Sequence, residues 1–395
     1  MKRLILMGLV VFTVAACADR DVMGVNDEAA VLEQTPEFHI ARGAGHIKVM
    51  SQNLYFGAPV EPIIEAPDLL SIAMAVDEAW QIMVDTDFPT RAKAMAAEMA
   101  RARPHLIGLQ EVAIYRTKES IFDQDPAETV FQDFLEILLE ELEDRGAHYD
   151  IAVELTTTDV EFPKFEGMMP DGETPILSGV RLTDRDVILV RRGVPWQDPA
   201  FGLYSNWFGP GAPNPIPIPV DVLRGWTVVT ATVGGKDFRF VNTHLESEDQ
   251  QGLHAIRTGQ AYELTQVLMA ETLPLIVVGD FNSGPGRPVQ PDEDPTAYEL
   301  MLGSGYMDLW VDGISAKGRG NTCCHVGDLS NTKPTHDQRI DLVFYRNFEL
   351  NRRSLAWSWL VNNKRRDLKR YGTWSSDHAG IFSWLVFPKR RMVAD

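Results

Sequence analysis

Short apolar runs alternate with longer amphipathic stretches over most of this chain. The runs HIKVMSQNL, HLIGLQEV, RDVILVRR, WTVVTATV, FRFVNTHL, PLIVVGDF, RIDLVFYR and AGIFSWLVF are strand-like, several are β-branched, and several end in polar residues. Such runs predict strands. LPLIVV, just ahead of Asp280, is apolar at every position, as a strand covered on both faces would be. TRAKAMAAEMAR, VFQDFLEILLEELEDRG and TGQAYELTQVLMAE carry helical patterns between the strands. The second puts Phe131, Phe134, Leu135, Leu138 and Leu142 on one face with acids opposite, as in a helix lying on a sheet. Strands interspersed with helices predict an α/β fold of two packed sheets flanked by helices. FGPGAPNPIPIPVDV is too rich in proline for a central strand and predicts a surface loop.

The polar residues recur at strand ends. Asn53 follows IKVMSQ, Glu111 follows LIGLQ, and Asn242 and His244 stand in FVNTHLES. Asp280 and Asn282 close the LPLIVV run, and strand alternation would send both to one side. Asp341 lies in RIDLVFYR and Asp377-His378 in SSDHAGIF. Each alone has an ordinary explanation as a turn, a cap or a satisfied core histidine. Together they gather carboxylates, amides and two histidines, which is what phosphodiester hydrolysis requires. That reaction uses a hard cation on oxygen ligands, a base for water, and donors for the charge building on phosphoryl oxygens.

Composition narrows the classes. The 395 residues carry a formal net charge of −19, which argues against a general nucleic-acid coat protein but not against a local basic site. MKRLILMGLVVFTVAAC has a basic start and an apolar stretch too short to span a bilayer, which takes about 20 apolar residues. It reads as a secretory signal over residues 1–16. Val14-Ala15-Ala16-Cys17 resembles a bacterial lipoprotein signal, so Cys17 is expected to carry lipid, with residues 17–44 as a tether. The main domain is then expected over 45–388, with a tail at 389–395. Cys323 and Cys324 are adjacent. They form either two buried thiols or a strained vicinal disulfide, and a disulfide scaffold is excluded.

The chain resembles the endonuclease/exonuclease/phosphatase superfamily through Gln52-Asn53, LQEV at 109–112, NTHLES at 242–247, GDFNSGPG at 279–286, RIDLVF at 339–344 and SDHAGI at 376–381. The motifs stand in the family's order. The resemblance implies a deoxyribonuclease I-like four-layered α/β sandwich, two mixed sheets flanked by helices, with the site at one edge of the sheets. It implies Mg²⁺ or Mn²⁺, with Glu111 as principal ligand and Asn53 and Asp377 near the cation. Asp280 would orient or deprotonate water, and Asn282 would contact the scissile phosphate. His244 and His378 would stabilise the transition state as imidazolium groups, with Asp341 fixing His378. Arg185, in DRDVILVR, and Asn242 are expected on the substrate side. One departure is Pro104-His105, where members often have Pro-Asp.

The bond type follows from the resemblance, and the substrate is left open. Residues 346–391 hold 11 Lys/Arg against 3 Asp/Glu. Within them Lys364, Arg365 and Arg366 stand in a stretch, Lys364–Arg370, that predicts a loop, and they are interleaved with Trp357, Trp359, Tyr371 and Trp374, as in a nucleic-acid or anionic-headgroup site, or simply a strand with core tryptophans beside solvated charges. The expectation is an exported phosphodiesterase or nuclease, lipid-anchored on the periplasmic or cell-surface side of a bacterial membrane. The alternative is a phospholipid- or inositol-phosphate-directed phosphodiesterase or phosphatase. A catalytically dead binding module is disfavoured because every motif residue is present. No protein partner is implied.

Overall fold

The apolar runs resolve into two sheets, each covered on both faces. The computed structural model describes residues 45–209, 221–247, 253–286, 295–313, 318–348 and 355–387, so the signal, tether and tail assignments and most of the proline-rich loop lie outside the described residues. The first sheet runs β13 (Leu355–Val361), β14 (Gly380–Phe387), β1 (Gly45–Asn53), β2 (Leu106–Gln110), β6 (Pro175–Arg191), β3 (Ile114–Lys118) and β4 (Thr129–Asp133). A long strand, β5 (Tyr149–Met168), pairs with β6. The second sheet runs β11 (Met307–Asp308), β12 (Asp341–Arg346), β10 (Leu275–Asp280), β9 (Lys236–His244), β8 (Gly225–Val233) and β7 (Trp196–Leu203). Both sheets are mixed, since β1–β2 and β9–β10 are parallel and the remaining pairs antiparallel.

Period-2 alternation sorts the side chains into layers. Ile276 and Val278 of β10 point between the sheets, where they meet Val49, Leu106 and Ile188. Leu275 and Val277 point the other way, onto Leu264 of α5 (Leu253–Val267) and Met301 of α6 (Ala297–Gly303). On the outer face of the first sheet, Ile107, Leu109 and Val187 pack on α2 (Leu69–Asp85), α3 (Phe88–Ala102) and α4 (Phe134–Glu143) through Ile72, Met95 and Phe134. Helix, sheet, sheet and helix form the four-layered α/β sandwich. The sheets approach closely at Gly108, where an added Cβ would sit 2.5 Å from Asn242 Oδ1 and 2.6 Å from Val278 Cγ2.

Two sequence expectations are corrected, and an open one is narrowed. Phe131 is not on a helix: it lies in β4 and is 44 % exposed. Helix α4 starts at Phe134 because Asp133 caps it, accepting from Leu135 N and Glu136 N. Lys364–Arg370 is not a loop, since Arg365–Tyr371 forms a helix, α8, ended by Gly372 at φ 81°. It follows two short helices, α1 (Glu61–Ile64) and α7 (Leu309–Asp312), that the sequence pattern did not mark. Finally, of the two readings of the interleaved tryptophans, Trp357 and Trp374 follow the interior one, while Trp359 is half-buried against Phe382. Trp374 is fully buried and donates from Nε1 to Asn331 O, and Trp357 is buried against Trp384.

Candidate active site

Strand register lines up the polar ends. In the second sheet Asp280 pairs with His244 on one side and with Asp341 on the other, so three functional side chains come from one row. Asp280 Oδ2 lies 3.8 Å from His244 Nε2 and 3.8 Å from His378 Nδ1. His378 Nδ1 is 2.8 Å from Asp341 Oδ2. That short contact fixes the proton on Nδ1 and leaves Nε2 as the outward nitrogen. His378 N donates to Ser376 Oγ, and Ser376 Oγ donates to Asn53 O, which ties the Asp377-His378 turn to the end of β1.

The backbone is bent where the chain leaves these strands. Gly279 has φ 153°, and a Cβ there would lie 1.9 Å from Thr243 O, so no larger residue fits before Asp280. Asn282 is left-handed at φ 47°. An Asx turn, with Asn282 N donating to Asp280 Oδ1 at 2.9 Å, brings it beside Asp280. Strand alternation does not reach Asn282, because β10 ends at Asp280. Its amide Nδ2 donates to Leu245 O. Glu111, at φ 54° just past β2, is held by Asn53 Nδ2 at 2.8 Å and Phe56 N at 2.9 Å.

Burial then sets charge. Glu111 is pushed up to about 8 by desolvation and by the charge of Asp377, which is itself raised by burial. Two buried carboxylates that repel each other fit a cation between them, because its charge would restore both to their ionised forms. Glu111 and Asp377 would hold it. Asn53 takes a different part from the one expected. Its Oδ1 accepts from Tyr55 N, so its amide nitrogen faces Glu111 and Asp280 as a donor and positions them.

The two histidines diverge. His378 pays for burial but is flanked by Asp341, Asp377 and Asp280, which together hold its pKa well above the usual range. His244 is held well below that range by burial and by Arg224, whose Nη1 is 2.9 Å from His244 Nδ1. One is an imidazolium and the other a neutral ring, where the sequence led us to expect two imidazolium groups. Desolvation and Asp341 push Asp280 up to about 6, so it is ionised at neutral pH and basic enough to accept a proton.

The remaining expected residues are placed elsewhere. Asn242 is fully buried between the sheets, accepting from Gln110 Nε2 and donating to Leu109 O. Arg185 is buried behind Glu111, donating to Val112 O and paired with Asp133 and Glu154. It braces the segment that carries Glu111. Lys364, Arg365 and Arg366 sit at α8, where Arg366 pairs with Glu98 of α3 rather than with the catalytic groups. Sequence reading missed Arg224 and Thr322, whose hydroxyl accepts from Asp341 N, and gave Ser376 of SDHAGI no role. It also missed Arg91, a fully buried guanidinium that donates to Leu54, Tyr55 and Ser375 carbonyls. The Cys323 and Cys324 sulfurs lie against each other, with Cys324 Sγ 3.8 Å from His378 Nε2.

The fold is similar to that of an endonuclease/exonuclease/phosphatase from Beutenbergia cavernae, with 18 % identity and a TM-score of 0.51 over 89 % of this chain and 74 % of that one. A family protein from Bacteroides thetaiotaomicron aligns with 15 % identity and a TM-score of 0.50 over 88 % of this chain and 99 % of that one. A mannosyl-6-phosphatase from the same organism aligns with 15 % identity and a TM-score of 0.47, over 86 % of this chain and 100 % of that one. No curated protein matches the chain. The catalytic candidates from Asn53 to His378 all fall within residues 50–378, the stretch matched by the model of the Endonuclease/Exonuclease/phosphatase family, and the chain belongs to that family.

Proposed function

We propose that the chain is an exported phosphodiesterase that depends on a divalent cation, Mg²⁺ or Mn²⁺, bound by Glu111 and Asp377. Family membership supports phosphoester hydrolysis in general. The observation that carries the assignment of roles is the placement of Asp280 Oδ2 at 3.8 Å from both a neutral and a charged imidazole. The cation, when bound, supplies Lewis-acid stabilisation of phosphoryl charge. Asp280 orients a water and takes its proton as the water oxygen bonds to phosphorus. The P–O bond to the leaving alcohol breaks, and His378 hands the Nε2 proton to the departing oxygen. His244, its Nδ1 accepting from Arg224, presents Nε2–H as a neutral donor to the phosphoryl group. Asp341 keeps His378 charged and oriented.

The nucleic-acid reading loses two of its four stacking aromatics, because Trp374 and Trp357 are interior. Export and lipidation at Cys17 rest on the pattern MKRLILMGLVVFTVAAC. Release of Cys17→Ser from the membrane fraction is the expected result; retention with full processing would contradict it. For the activity, purified protein is assayed on p-nitrophenyl methyl phosphate with Mg²⁺ and then with excess chelator. Hydrolysis that the chelator abolishes supports the proposal. Full activity in chelator would exclude the cation, and no hydrolysis of any phosphoester in a broad panel would exclude the reaction.

A further inference from the structure

A cavity of about 150 Å³ opens beside the catalytic row, between helices α1 and α2 and the β5–β6 hairpin. Its walls are apolar, with Phe56, Ile63, Val76, Trp80, Val160 and Phe162 among them. Polar groups gather at Asp184, Arg224 and Glu246. Residues of the cavity wall touch the catalytic groups. Phe56 lines the cavity and donates its N–H to Glu111 Oε2, and Tyr115, also in the wall, donates from its hydroxyl to Phe56 O. Arg224 stands at 2.9 Å from His244. A ligand filling this space therefore has an apolar part in the cavity and a polar part at the catalytic groups.

Building on the phosphodiesterase reading above, we propose that the cavity seats an alkyl segment of the substrate, so that the hydrolysed ester belongs to an amphiphile of the lipid class. The size fits. A dry cavity of this volume lined by apolar side chains accepts a molecule of about six carbons. The charge fits as well. Arg224 is the cation in the wall, and it is paired with Asp184 and Glu246, so a second phosphate of a polyanion finds acids rather than free donors. The surroundings extend the apolar path beyond one ring. Helix α2, which gives Val76 and Trp80 to the cavity, also exposes Leu69, Leu70 and Met74 to solvent. Phe131, 44 % exposed, packs on Trp80 with ring centroids 4.7 Å apart. A chain longer than the cavity continues over this apolar rim, which is the kind of surface that meets a lipid layer.

A homologous series tests the proposal. The wild-type protein with Mg²⁺ is assayed on p-nitrophenyl alkyl phosphates from methyl to dodecyl, each below its micellar concentration. The leaving group is constant, so only the alkyl chain varies. Burial of each methylene should raise kcat/KM roughly fourfold, giving about 10³-fold from methyl to hexyl and a levelling beyond the cavity's length. Ala79→Phe, which fills the cavity wall, should flatten that gradient. A flat series in an enzyme that hydrolyses the methyl ester overturns the alkyl site and leaves the phosphodiesterase reading intact. An oligonucleotide cleaved with higher kcat/KM than the octyl ester overturns the substrate class. Binding is read separately by tryptophan fluorescence with octyl phosphate, phenyl phosphate and methyl phosphate. Saturable binding of octyl phosphate, at least tenfold tighter than that of methyl phosphate, upholds the site even in a protein without turnover. Equal affinity for methyl and octyl phosphate, or no binding of either, contradicts it.

Discussion

His244 and His378 flank Asp280 at the same distance, yet their surroundings give them opposite charge. His378 sits in a carboxylate pocket made by Asp341, Asp377 and Asp280. His244 faces a guanidinium, Arg224, itself held by Asp184 and Glu246. Both are buried, so burial alone does not separate them. The difference lies in the first charged neighbour of each Nδ1. Chemistry that needs a charged donor and a neutral donor can draw both from one residue type, provided the neighbours differ.

The largest expected effect comes from the shared centre. Asp280→Asn removes the group that takes the proton from water and should lower kcat about 10²–10⁴-fold. His378→Ala should cost about 10²–10³-fold. The double variant should lose far less than the product, because the two act as a unit. Steady-state kinetics with Mg²⁺ check this, and strict additivity would dissolve the unit. Asp341→Asn comes next, at about 10–100-fold in kcat, since it orients and charges His378 without touching the reacting atoms. Its pH profile is more telling. Asp280 must be ionised, so kcat/KM should rise with pH through an acid limb near 6. His378 must be protonated, so activity falls on an alkaline limb above the usual histidine range. Losing the charge of Asp341 lowers both pKa values, and both limbs should move to lower pH. A limb that stays put would identify a different titrating group.

Much of this arrangement is legible in the sequence, and its limits have physical causes. LPLIVV predicts a strand covered on both faces, and Leu275 to Val278 are buried in alternating layers. Asp280, Asp341 and His244 announce themselves as polar residues ending apolar strands, and register makes them neighbours. Arg224 carries no such signal. It precedes an ordinary strand, and only the pairing of Gly225 with His244 brings it to the imidazole. The basic run at 364–370 misleads because charge density is read without its fold. Once Arg365–Tyr371 is helical and Arg366 reaches Glu98, the run becomes part of a helix pair. Asn53 shows the same limit, since residue type names an oxygen ligand while Tyr55 N decides which end of the amide faces the site.

A smaller effect separates the histidines from the other side. Arg224→Met removes the cation at His244 Nδ1, so the pKa of His244 should rise while kcat falls about tenfold. Burial still opposes its charge, and a rise that brought it level with His378 would mean that Arg224 alone made the difference. The smallest effect lies away from the site. His105 accepts from Lys48 N at Nδ1 and is held near 3 by burial and by Arg191. The folded state thus binds its proton less readily than the unfolded chain, whose histidine titrates near 6.5. That contribution to stability is present above about 6.5 and is lost as pH falls toward 3. His105→Gln, which keeps an acceptor for Lys48 N, should make the fall of the unfolding midpoint between pH 6.5 and 4 shallower and leave kcat unchanged. An unaltered slope would show that His105 does not carry it.

The most direct test is an NMR titration of the two site histidines, each assigned from its own substitution. We expect His378 to remain protonated at pH 7 and above while His244 stays neutral below the usual histidine range. Two rings that titrate together near 6.5, or a charged His244 beside a neutral His378, would contradict the division of labour around Asp280.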